Sequence, residues 1–306
     1  MTEINGTGAL QTSPGQMLFT PDAFSQLKAI ENPSINLPIL VDPKEALEIL
    51  YENLEGFEDE IRFDKISMPS AGGTSFQIVG LDGQETSVSE LEGIIIHKAP
   101  FRCWYKKLYE EKTEEDTGMP DCLGTKQVIK KIDPRTGQET LQKIYVGSGC
   151  EEAGIPAGQH CDTCPKGQWG SNRKGGDGQD CSERIRLHFL MKDRVFPLCA
   201  NIPPTSLRRV KGYFRHLGDI KKRYYGVVTH WSLVTVMKGG KKRSEVSLAK
   251  VRDLTDEEIE AIRMYVVFLR PAMEIITKES FETDSKADKN DNDINKMDFE
   301  SEEQPF

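Results

Sequence analysis

The sequence predicts a mainly β fold, a small barrel rather than a parallel sheet, with one cysteine-rich insertion and a closing helix. Three observations point there. Short apolar runs of strand-like composition recur between turn signals. Sustained helical periodicity is confined to a segment near residue 43 and another after residue 255. A polar stretch holding five of the seven cysteines interrupts the runs.

In chain order, residues 1–40 are rich in Thr, Ser, Pro, Gly and Asn without a period and read as a loosely ordered arm. The folded part is expected over 41–278. Asp42-Pro43 opens a helix whose Ala46, Leu47, Leu50 and Leu54 share a face, with Gly56 as its stop. RFDKISMP, TSFQIVG and EGIIIHKAPFRCWYKKLY then read as β runs, split by Ser-Ala-Gly-Gly and Asp-Gly turns. The insertion spans about 112–182, and within it KQVIKKI and LQKIYVG flank DPRTGQ as a hairpin. Strand-like runs return in RIRLHFLM, VFPLCANIP, YYGVVTHWSLVTVM and SEVSLAKV. Thr255 and Glu258 form a capping box, and Ile259, Ile262 and Val266 carry a helix to a break at Pro271. From Lys278 the chain is polar, acidic and low in complexity, so 279–306 reads as a disordered tail.

The 306 residues hold enough apolar content (37%) for a real core. No run approaches the roughly 18 apolar residues of a membrane span. The start, MTEINGTGALQTSPGQ, lacks the basic-then-apolar order of a signal peptide, so a cytoplasmic protein is expected. The net charge of −9 conceals a split: residues 279–306 hold ten acidic and three basic residues, whereas 166–252 hold twenty basic and six acidic. Enzyme signatures are missing: no GxxxxGK[ST], HExxH, GxSxG or HxE…PCxxC order occurs, and a non-enzymatic protein is expected.

An odd cysteine count without a signal peptide favours metal binding or buried thiols over disulfides. Cys161-x-x-Cys164 is a turn that points two thiolates at one ion, with sixteen residues between Cys164 and Cys181. Cys150 is the favoured fourth ligand and Cys122 the alternative; His160 is adjacent to Cys161, which strains a shared site. Four soft ligands in a closed tetrahedron suit Zn2+, structural and one per chain. The competing readings are unliganded thiols or a redox pair, the latter without a surrounding βαβ pattern. Cys103 and Cys199 lie in apolar runs and read as core.

FRCWYKKLY and RRVKGYFRHLGDIKKRYYGVVTHW interleave cations with large rings, the combination a single strand needs for phosphates and unstacked bases. The candidate contacts are Arg102, Trp104, Tyr105, Lys106, Trp169, Arg208, Arg209, Lys211, Tyr213, Arg215, Lys221, Lys222, Arg223, Tyr224, Tyr225 and Trp231. For any one ring, core packing is the plainer reading, and for any one cation, a solvated face; the argument rests on the cluster.

HCDTCPKGQWGS, Cys181 with RIRLHFL, PPTSLRRVKGYFRHL and YYGVVTHWSL together resemble single-stranded DNA-binding proteins of bacteriophages and mobile elements, over about residues 57–275. The resemblance implies an OB-type barrel with a zinc-binding insertion, acting in DNA replication, recombination and repair in a bacterial host cell. The ending MDFESEEQPF resembles the acidic tip of bacterial single-stranded DNA-binding proteins. It implies a docking peptide, Asp298, Phe299, Glu302, Glu303, Pro305 and Phe306, for a helicase, nuclease or recombination mediator. The expectation is a sequence-tolerant protein that coats single strands and recruits partners. The alternative is a zinc-ribbon protein acting in transcription or on RNA.

Overall fold

The computed structural model describes Glu52 and residues 63–281, apart from 70–71, 81–82, 109–110, 112–117, 133–134, 136, 176, 193, 195 and 239. The strands are β1 (Lys65–Ser67), β2 (Phe76–Val79), β3 (Glu85–Val88), β4 (Glu90–Trp104), β5 (Cys122–Ile132), β6 (Glu139–Gly147), β7 (Ser182–Met191), β8 (Leu198–Ile202), β9 (Val227–Lys238) and β10 (Lys241–Asp253). The helices are α1 (Leu207–Asp219) and α2 (Asp256–Glu274). All the strands join one sheet in the order β10-β9-β4-β7-β8-β1-β2-β3, with β5 and β6 branching off β4. Among the described residues, only β1 and β8 pair in parallel.

The fold is mainly β, with the sheet strongly curled into a half-barrel. β4 makes the curl possible, because its fifteen residues change partners along their length. Glu90–Gly93 pair with β9, Gly93–Cys103 with β7 and Arg102–Trp104 with β5. Gly93 is the switch point, and a Cβ there would lie 2.2 Å from the Leu190 carbonyl oxygen. Only glycine lets the backbones approach that closely. A register shift between Ile95 and His97 adds a further bend.

Two cores result. On one face of the sheet, Phe76, Leu91, Phe189 and Trp231 pack against Leu207, Val210, Tyr213 and Leu217 of α1. On the opposite face, Ile94, Ile96 and Val228 meet Ile262, Tyr265 and Leu269 of α2. Among the described residues, no helix is long and apolar enough to cross a membrane.

The expected runs become β1, β2, β4 and β7–β10, the hairpin becomes β5–β6, and the Thr255–Glu258 capping box is formed. α1 was not expected, because its apolar positions are single residues between cations, yet their three- and four-residue spacing buries one helical face. The short β3 was also missed. α2 runs past the expected break, with Pro271 inside it. The chain remains packed beyond residue 278: Phe281 is fully buried against Phe101, with Arg186 over its ring at 5.1 Å. The folded part therefore reaches at least as far as Phe281. The 42–56 helix (but for Glu52), the 1–40 arm and 282–306 lie outside the described residues.

Candidate nucleic-acid interface and cysteine cluster

The β5–β6 hairpin and the loops before β7 build the cysteine cluster. Cys122 opens β5. The Val146–His160 bridge and a Cys161 N–H to Tyr145 carbonyl bond (2.9 Å) lay the Cys161–Cys164 turn along β6. The Cys181 N–H donates to the Lys166 carbonyl at 2.7 Å, which returns the chain to that turn. Cys122, Cys161, Cys164 and Cys181 thus line one cavity of about 10 Å³ with Trp104 and Ile155, room for a single atom-sized occupant. Cys150 is half-buried and packs against the cluster but does not line the cavity.

Paired glycines keep this space open. Gly124 and Gly147 are register partners. A Cβ on the first would lie 2.6 Å from Cys161 Sγ, and one on the second 3.2 Å from Cys122 Sγ. Burial raises the Cys122 and Cys181 thiols above their ordinary value and pushes Cys161 up to about 11. Among the described residues, no three metal-ligating side chains stand in ready-made coordination geometry. The donor set nonetheless fits a soft divalent ion: four thiols, a cavity of the right size, and loops with few apolar anchors.

Several candidate contacts serve this cluster. Trp104 is buried in it, its indole N–H donating to Asp180 Oδ2 at 2.7 Å. Arg102 stands 5.7 Å from the Tyr145 ring and 3.8 Å from Asp162, and Lys106 pairs with Glu152. Tyr105 is half-buried beside Arg184. Trp169 alone among the three tryptophans is exposed, at 79%.

The second group surrounds α1. Arg208, Arg209, Lys211 and Arg215 lie on its exposed face, and Lys221, Lys222 and Arg223 follow in an exposed turn. Three of the seven have acidic neighbours: Arg209 with Glu245, Lys211 with Glu183 and Lys222 with Asp253. A ladder of half-buried rings runs beside them. Phe214 meets Tyr224 edge-on at 5.9 Å, and Tyr224 meets Tyr225 at 5.3 Å. The Lys98 ammonium lies 4.4 Å from the Phe214 centroid, and burial lowers its pKa. Lys98 was missed because a single lysine in an apolar strand carries no sequence signal.

Three expected stacking rings are core residues. Trp231 is fully buried against Phe189, Tyr213 is buried with its hydroxyl 2.7 Å from Thr229 Oγ1, and Trp104 is held as described. Apolar runs hid this, since core and stacking aromatics look alike in sequence. The tail residues Asp298, Phe299, Glu302, Glu303, Pro305 and Phe306 lie outside the described residues. Comparison with known proteins adds no relative: no family model, curated protein or solved structure matches this chain.

Proposed function

We propose that this chain is a non-catalytic, sequence-tolerant single-stranded DNA-binding protein whose curled sheet is an OB-type barrel. The observation that carries the reading is the exposed face of α1 with the turn after it, where seven exposed cations border a ladder of half-buried rings. Phosphates follow the cations, while bases leave the stack to lie on exposed ring faces. Arg208, Arg215, Lys221 and Arg223 are the principal phosphate contacts, and Tyr224, Tyr225 and Trp169 the principal stacking surfaces. The proposed structural zinc is held by Cys122, Cys161, Cys164 and Cys181. Bound as thiolates, these four cysteines would cross-link the hairpin to the loops through the ion. The C-terminal tip recruits a helicase, nuclease or recombination mediator through Phe306. Deleting Phe306 should abolish such binding, and unchanged recovery of a purified partner would refute the docking role.

The test of binding is titration with oligo-dT, duplex DNA and RNA of equal length. Oligo-dT should bind most tightly. A preference for duplex or RNA would instead favour the zinc-ribbon transcription or RNA-binding reading.

A further inference from the structure

We propose that the single-strand track continues beyond α1 onto the tip of the β9–β10 hairpin, where Lys238, Lys242 and Arg243 form its second half. The inference rests on the single-strand reading and adds a surface that the reading does not require. β10 is the terminal strand of the sheet order, and α1 runs alongside it. Three contacts fix the alignment. Ser206 Oγ, just before the helix, accepts the Val246 N–H at 3.0 Å. Arg209 Nε donates to Glu245 at 2.6 Å, and Lys222 Nζ lies 3.3 Å from Asp253 at the far end. Helix and strand therefore point the same way, and Lys238, Lys242 and Arg243 lie past the helix N-terminus. Thirteen helical residues span about 20 Å. The four-residue step from Val246 to Lys242 adds roughly 14 Å.

The tip is chemically one-sided and held in place. No acidic residue lies between Met237 and Ser244. The Gly72 carbonyl accepts from Thr235 Oγ1 at 2.7 Å and the Gly73 carbonyl from Ser244 Oγ at 2.8 Å, so the loop before β2 braces both strands. A Cβ on Gly72 would stand only 3.0 Å from Lys242 Cβ, so the Lys242 stem is seated against that loop. Met237 is the register partner of Lys242 and is 65% exposed, an apolar surface beside the cation. Lys242 shares its face of the hairpin with Met237, while Lys238 and Arg243 project from the other, so a strand crossing the tip meets cations on both sides and an apolar surface for a base beside Lys242.

The experiment combines Lys238→Glu, Lys242→Glu and Arg243→Glu in the full chain. Affinity is measured across a salt series with oligo-dT of about 4 and about 16 nucleotides, the ends of the range for one such fold. Three lost phosphate contacts should lower the salt slope for the longer strand by about 2, with about tenfold weaker binding at low salt. The short strand, held on α1, should be unaffected, and the melting temperature should be unchanged. The combined glutamine variant, which adds no negative charge, should move the slope the same way. If long-strand affinity and slope survive both variants while Arg208→Glu with Arg215→Glu weakens binding, the extension is wrong and the α1 reading stands. Equal losses for both lengths would also overturn the extension. If the unaltered chain binds neither length, the single-strand reading itself fails.

Discussion

Cys122 and Cys150 both stand near the cysteine cluster, but only Cys122 lines its cavity. Cys122→Ser should therefore lose near-stoichiometric zinc, and Cys150→Ser should retain it; metal analysis of the purified variants reads this directly. Zinc lost only from Cys150→Ser would reverse the assignment. The sequence carried the Cys161–Cys164 pair, because both thiols sit in one turn. It could not carry the choice of fourth thiol. That choice depends on the β5–β6 register, which places Gly124 opposite Gly147 and so opens room beside Cys122. Tryptophans separate in the same way. Trp231→Ala should cost roughly 3–5 kcal/mol of stability. Trp169→Ala should leave the melting temperature alone and cost roughly 1–3 kcal/mol of binding. A stable Trp231→Ala protein with impaired binding would contradict the placement of that ring in the core.

At the level of elements, α1 ends in a turn where the Lys222 N–H bonds the Leu217 carbonyl (2.8 Å) and the Lys221 N–H bonds the Gly218 carbonyl (2.9 Å). This is a Schellman cap, and its left-handed position, usually glycine, is held by Lys221 at φ 57°. A cation is kept where a side chain is strained. Lys221→Gly should therefore raise stability by about 0.5–1 kcal/mol while weakening oligo-dT binding. Equal affinity would remove Lys221 from the interface. The β4–β7 pair carries a second consequence. His97 and His188 face each other with their Nδ1 atoms 3.4 Å apart. Burial, reinforced by Arg270, lowers His97 to about 4; burial, His97 and Arg186 lower His188 well below its usual value. Below pH 6.5 the unfolded chain takes up protons that the folded chain refuses, so stability should fall as pH drops from 6.5 towards 4. A urea midpoint constant over that window would contradict the buried neutral pair. Neither feature was legible in sequence: α1 was masked by its cations, and the histidines are ninety-one residues apart.

Over the whole molecule, the net charge of −9 says little, because basic and acidic residues are segregated along the chain. The β architecture was legible because turn signals bracket each long strand. The curl was not, since it depends on one close approach at Gly93 and on partner switching along β4. On the proposed reading, a single strand lies across α1 and the ring ladder beside it. Photocrosslinking of bromodeoxyuridine-substituted oligo-dT to the full chain, with the attached peptides mapped by mass spectrometry, tests this most directly. Crosslinks should concentrate in residues 207–225 and at Trp169, be lost in high salt and be weak with duplex. Crosslinks confined to other surfaces, or equal yields with duplex, would contradict it.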